Sequence, residues 1–206
     1  MKKIILGIIV AVVSLIATPS ITAQVRYGAV AGINVSSLHF NQDILEVNPS
    51  VGYTMGVFSE LIFPGIGFGV DGSLLYTKRG GQLLMGDWPV WSSQGYGTES
   101  CQIHYIDIPI NLRFKYTDLN GLEDTFAPFA YVGPQLSFQI GHSDIPALEF
   151  PFGTFGLNFG LGCELFQQVQ VSIAYELGIS YTVRTTELDD YSAENRVWKL
   201  TAVYLF

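Results

Sequence analysis

Apolar and polar residues alternate with a period of two in eight stretches of this chain, and segments rich in turn-forming residues separate them. The clearest stretch runs from Ile106 to Tyr116. Ile106, Ile108, Ile110, Leu112, Phe114 and Tyr116 share one face there, and Asp107, Pro109, Asn111, Arg113 and Lys115 share the other. A helix of 3.6 residues per turn would mix these two sets, whereas a strand keeps them apart. Phe155 to Leu165 and Val169 to Tyr181 repeat the scheme, and the final run places Trp198, Leu200, Ala202, Tyr204 and Phe206 on one face. Weaker alternation covers Val25 to Val35, Val51 to Leu61, Phe68 to Tyr76 and Ala130 to Ile140. The pattern predicts eight strands, most of about 10 to 13 residues, a length suited to tilted membrane strands. Pro109 and Pro134 each remove a ladder donor, which predicts local bulges or kinks.

Nine charged residues fall within these strands: Arg26, Glu60, Asp71, Asp107, Arg113, Lys115, Glu164, Glu176 and Lys199. All occupy the face opposite the apolar one. Alternation by itself does not say which face is the core, because a soluble barrel shows the same pattern with its charges outside. Composition changes the picture. Hydrophobic residues make up 49% of the sequence and charged ones only 14%, against roughly 25% charged in ordinary soluble domains. Beyond the first residues, no run approaches the ~20 apolar residues of a membrane helix. A closed barrel is the other structure that satisfies every backbone hydrogen bond in hydrocarbon.

Three further features point to a barrel with its apolar face outside. Gly28, Gly32, Gly52, Gly56, Gly156, Gly160 and Gly162 lie on the charged face, where a crowded lumen needs small residues. Large aromatics of the other face, among them Tyr27, Tyr53, Tyr76, Tyr116, Tyr181, Trp198, Tyr204 and Phe206, fall near strand ends, as an interfacial girdle requires. The connections alternate long and short. The long ones cover Ser37 to Ser50, Arg79 to Gln102, Gly141 to Phe152 and Arg184 to Asn195. The short ones are Phe63 to Gly65, Thr117 to Thr125 and Gln167-Gln168. The competing fold is a soluble ligand-binding barrel of the lipocalin type.

At the N-terminus, Lys2 and Lys3 precede an apolar run from Ile4 to Val13, and Ile21-Thr22-Ala23 supplies a cleavage site before Gln24. This reads as a secretory signal peptide over residues 1–23, with residues 24–206 forming a single barrel domain. Loss of the two lysines takes the formal net charge from -8 to about -10, which argues against a nucleic-acid partner.

The inward charges are the first candidate for function. Arg26, Glu60, Asp71, Arg113, Lys115 and Glu164 fall in the periplasmic half, three basic and three acidic, and predict an interior salt-bridge network that plugs the barrel. A narrow solute or ion path along the same residues is the alternative. The longest loop carries Trp88 and Trp91 among aliphatics, a candidate contact site for a surface partner. His142-Ser143-Asp144 has the residue types of a hydrolytic triad, and a lipid-modifying enzyme is therefore a further alternative. Adjacent residues seldom adopt the necessary geometry, and the chain is read as having no catalytic residues. His39, His104 and His142 lack a metal-binding spacing, and no cofactor or metal is expected. Cys101 and Cys163 fall at opposite ends of their strands, so two free thiols are expected.

Three segments carry a family resemblance: Tyr27 to Ser36, Tyr105 to Arg113 and Tyr131 to Ser137. They resemble the PorT-like "porin family" barrels of Bacteroidetes. The resemblance spans essentially all the chain after the signal. It implies an all-β, eight-stranded antiparallel up-and-down transmembrane barrel of OmpA/OmpX-like architecture in the bacterial outer membrane. It further implies contact with outer-membrane lipid and lipopolysaccharide and, for some members, a part in secretion or surface assembly. The ending Val203-Tyr204-Leu205-Phe206 resembles the aromatic signal read by the barrel assembly machinery. The expected role is structural or surface-interacting.

Overall fold

The computed structural model describes residues 24–40, 47–63, 67–84, 97–116, 121–143, 148–149, 151–185 and 192–206. The signal segment and the loop bearing Trp88 and Trp91 lie outside the described residues. Eight long strands follow one another up and down: β1 (Gln24–Phe40), β2 (Val47–Ile62), β3 (Phe68–Leu84), β4 (Thr98–Lys115), β5 (Phe126–His142), β7 (Gly153–Leu165), β8 (Val169–Gly178) and β10 (Ser192–Leu205). Each pairs antiparallel with the next, and β10 pairs with β1 from Gly28↔Leu205 to Phe40↔Ala193, which closes the barrel. Closure leaves none of the long strands with a free edge. Two short strands, β6 (Leu148–Glu149) and β9 (Val183–Thr185), extend the sheet beyond the upper part of β10.

The alternation faces as the composition demands. Val25, Tyr27, Val57, Phe68, Leu112, Leu161, Trp198 and Tyr204 are exposed outward, while Arg113, Glu60, Asp71, Glu164, Glu176 and Lys199 are buried inside. The end carrying the short connections is periplasmic by the arrangement general to outer-membrane barrels. Its β7–β8 turn carries Phe166 and Gln167 in consecutive left-handed conformations, at φ 53 and 58.

Two expectations are corrected. Strands β1 to β5 have 16 to 18 residues, not 10 to 13, and they run into segments expected to be loop. On β3 the outward positions beyond Tyr76 are Lys78, Gly80 and Gln82. Past the hydrocarbon boundary an outward residue need not be apolar, so the hydrophobic signal stops while the ladder continues. Register shifts occur at Pro49/Thr54 between β2 and β3 and at His104/Tyr105 between β4 and β5, not at Pro109 or Pro134. The register of β4 against β5 is the same on both sides of Pro109 and Pro134. A missing donor deletes one ladder bond, whereas a bulge requires an extra residue.

Candidate functional site

Six charged side chains converge in the periplasmic half of the lumen. Arg26 of β1 forks onto Glu164 of β7, Nη1 to Oε1 at 3.0 Å and Nη2 to Oε2 at 2.6 Å, and Nη2 also reaches Glu60 of β2. Lys115 Nζ lies 2.5 Å from Glu164 Oε2 and 3.9 Å from Glu60 Oε1. Arg113 of β4 donates through Nε to Asp71 Oδ2 at 2.7 Å and through Nη1 to Glu60 Oε2 at 3.2 Å. Three cations thus meet three carboxylates. A buried ion without a partner is costly, and this set is neutral as a whole.

Two amides fill the remaining valences. Gln170 of β8 accepts from Arg113 Nη1 at 2.8 Å and donates to Glu60 Oε2 at 2.9 Å and Glu164 Oε2 at 2.7 Å. Asn111 donates to Asp71 Oδ1 at 2.7 Å. Both lie on the inward face of their strands, but being uncharged they carried no signal in a charge count.

Arg113 is also held by aromatic rings. Its guanidinium carbon lies 4.3 Å from the Phe129 ring centroid, 5.1 Å from Phe58 and 5.5 Å from Tyr131, within the range of cation–π attraction. The cross-strand partners of Phe129 and Tyr131 on β7 are Gly162 and Gly160. A Cβ at either glycine would stand 2.5 Å from the facing ring. Glycine on β7 therefore makes the room in which the rings of β5 clasp Arg113.

A second cluster occupies the extracellular half. Arg79 of β3 pairs with Asp107 of β4 and, through Nη1, with Glu176 Oε1 of β8 at 2.5 Å. Lys199 of β10 lies 2.5 Å from Glu176 Oε2 and donates to Gln135 Oε1 of β5 at 3.0 Å. Arg79 falls in the segment that the alternation reads as a loop. Its inward direction continues Asp71, Leu75 and Thr77 at the same parity, all buried. The charge count also called for it, because Asp107 and Glu176 outnumber Lys199 by one in this half. With Arg79 the second cluster is neutral too.

Leu75 stands between Asp71 and Arg79 on the inner face of β3 and belongs to an apolar cluster with Val30, Phe58, Val203 and Leu205. Not every polar atom of the upper half is paired. Arg79 Nε, Asp107 Oδ1, Tyr105 OH, Asn34 Oδ1, Asn158 Oδ1 and Gln139 Oε1 are buried without a hydrogen-bond partner.

The remaining candidates lie apart from the two clusters. Ser143 Oγ accepts from the Gln102 backbone N–H at 3.1 Å, and His142 Nδ1 lies 2.9 Å from the Ser143 carbonyl oxygen rather than on its hydroxyl. Asp144 is outside the described residues. His104 faces outward, with Nδ1 2.7 Å from Tyr76 OH. No group of three or more His, Cys, Asp or Glu side chains suited to a metal ion occurs among the described residues. Cys101 is buried on β4, Cys163 is partly exposed on β7, and both thiols are free.

Solved structures share this architecture. The outer membrane protein OprG of Pseudomonas aeruginosa is similar with a TM-score of 0.53 at 12% identity, over 88% of this chain and 94% of that one. Neisserial surface protein A gives 0.48 at 11% identity over 87% and 97%. Ail of Yersinia pestis, in complex with sucrose octasulfate, gives 0.46 at 16% identity over 89% and 99%. At 12% identity the likeness to OprG is one of fold alone, and no curated protein matches the chain. The outer membrane protein beta-barrel domain family matches residues 19–184, and the closed eight-stranded antiparallel barrel of this chain belongs to that family, in the bacterial outer membrane.

Proposed function

We propose that the protein is a closed outer-membrane scaffold, its lumen plugged by the two ion-pair clusters and its contacts made by the extracellular connections. The observation that carries the reading is the set of ion pairs crossing the lumen at two levels, Arg26–Glu164 below and Arg79–Glu176 above. Eight strands enclose a space that side chains can fill. The resemblance to PorT-like barrels supports a secretion or surface-assembly partner, and the loop bearing Trp88 and Trp91 is the segment proposed to meet it. Phe206, exposed at the end of β10, fits recognition by the barrel assembly machinery. The Ser143 hydroxyl, engaged with the β4 backbone, speaks against a lipid-modifying enzyme.

A second reading, a narrow path for a polar solute, draws on the unpartnered polar atoms of Arg79, Asp107 and Tyr105 in the upper lumen. Surface binding separates the two. Replacing Trp88 and Trp91 with serine abolishes binding of cells to their surface partner under the scaffold reading while the heat-dependent gel mobility of the barrel persists. Unchanged surface binding, together with solute uptake that Arg79→Ala alters, contradicts the scaffold and supports the path.

A further inference from the structure

On the outward face of β3 and β4 polarity switches sharply. Phe68, Val70, Leu74, Ile110, Leu112 and Phe114 are exposed and apolar. One layer higher Tyr76 faces Ile106, and the next outward pair is Lys78↔His104. Directly opposed side chains in an antiparallel pair hold their Cβ atoms about 5 Å apart, so an ammonium and an imidazole stand side by side where the apolar belt ends. Tyr76 OH binds His104 Nδ1 at 2.7 Å with the rings stacked 5.9 Å apart, which fixes the imidazole and leaves its Nε2 for another partner. Tyr53 of β2 closes the other side, its ring 6.0 Å from Tyr76. Gly141 of β5 flanks His104, where an added Cβ would touch the ring at 3.8 Å, so the missing side chain leaves that side of the imidazole uncovered.

The charge on Lys78 stands apart from the cations of the lumen. Each of the five lumenal cations has a carboxylate partner, whereas among the described residues Lys78 has none. An ammonium at the rim of a hydrocarbon belt extends its apolar stem along the belt and its charge into the headgroup layer. The ligand it meets there is anionic, and lipid phosphates are the anions of that layer.

We propose that Lys78, His104 and Tyr76 form an outward-facing site for a phosphomonoester on the headgroup of an outer-leaflet lipid. Lys78 supplies the charge, His104 Nε2–H the directional donor, and the Tyr76–Tyr53 pair the wall against which the sugar or glycerol of the headgroup packs. Charge-assisted hydrogen bonds of this kind are short and strong, and two on one anion discriminate against an uncharged headgroup. The site rests on the reading that the apolar face contacts the membrane and that the Lys78 end is extracellular.

The test uses the purified barrel in phosphatidylcholine vesicles, with bisphosphorylated lipid A, the same lipid stripped of phosphate, or inorganic phosphate as the added probe. The expected result is a raised unfolding temperature with phosphorylated lipid A alone. Lys78→Gln and His104→Gln weaken the dependence on that lipid about tenfold, the loss of one charge-assisted hydrogen bond, and Lys78→Arg retains it. Equal stabilisation by dephosphorylated lipid, or an undiminished response in Lys78→Gln, overturns the site. A response to inorganic phosphate alone overturns the lipid as its source. The heat-dependent mobility shift of each variant reports folding independently, and a wild-type chain that fails to insert overturns the membrane reading together with the site.

Discussion

Arg79 Nη1 and Glu176 Oε1 are 97 positions apart in sequence and 2.5 Å apart in space. They stand on β3 and β8, four steps apart in either direction around the eight long strands, so this ion pair spans the diameter of the lumen. A cross-barrel tie joins walls that no backbone hydrogen bond connects directly.

Arg79→Ala removes the cation common to Asp107 and Glu176, which strands the buried Asp107 carboxylate and leaves Glu176 with Lys199 alone. Breaking a buried pair from one side costs about 3–5 kcal/mol. The variant is expected to unfold at a correspondingly lower urea midpoint, with the barrel still forming at low temperature. Wild-type stability would mean that the pair is not closed in the membrane.

Arg113→Lys keeps the charge and loses the fork. Lysine cannot serve Asp71, Glu60 and Gln170 together, nor lie between the Phe129 and Phe58 rings as a planar group. A loss of about 2 kcal/mol is expected, from the charge-assisted hydrogen bonds no longer made. Thermal melts of Arg113→Lys beside Arg113→Ala check this, with the alanine variant the less stable of the two.

Much of this was legible in the alternation. Parity alone placed Arg26, Glu60, Asp71, Arg113, Lys115 and Glu164 on one face, and the structure brings those six within ion-pair distance. Arg79 escaped because the outward side of upper β3 is polar, which erased the contrast that marks a strand. Asn111 and Gln170 escaped because an uncharged amide looks the same in a network as on a wet surface. The β2–β3 shift is bounded by Pro49, whereas the β4–β5 shift at His104/Tyr105 carries no such mark, since an inserted residue is defined only against the partner strand. Trp88 and Trp91 fall outside the described residues, and their role as a contact stays a proposal.

Ser36 acts as a substitute for missing ladder bonds. Where the β2–β3 register shifts between Pro49 and Thr54, Ser36 Oγ of β1 donates to Gly80 O at 2.7 Å and accepts from Gly80 N at 2.9 Å, reaching past β2. Gly52 permits the crossing, because a Cβ there would lie 2.0 Å from Lys78 O. Ser36→Ala leaves a buried N–H unpaired and is expected to cost about 1–3 kcal/mol, with faster amide exchange at Gly80. Unchanged exchange there would argue against the substitution of bonds.

Gly162→Ala is expected to destabilise by about 1–3 kcal/mol, because the new methyl overpacks the Phe129 ring 2.5 Å away and pushes it off Arg113. Gly97→Ala, with no atom within 4 Å of the added Cβ, serves as the neutral comparison. Chemical denaturation of the two variants side by side measures the difference.

The β7–β8 turn offers a gain. Phe166 and Gln167 hold consecutive left-handed conformations that favour Asn and Gly. Gln167→Gly is expected to stabilise by up to about 1 kcal/mol, the left-handed strain of roughly 1–2 kcal/mol being partly offset by the greater chain entropy of glycine. A raised melting temperature confirms it, and a lowered one would mean that the Gln167–Asp124 hydrogen bond outweighs the backbone strain.

The central claim is a lumen closed by side chains, and single-channel recording in planar bilayers tests it most directly. The purified wild-type barrel is expected to insert without steady conductance, and Arg79→Ala combined with Arg113→Ala to open measurable current. A steady open channel in the wild type would contradict the plug and turn the two clusters into the walls of a path.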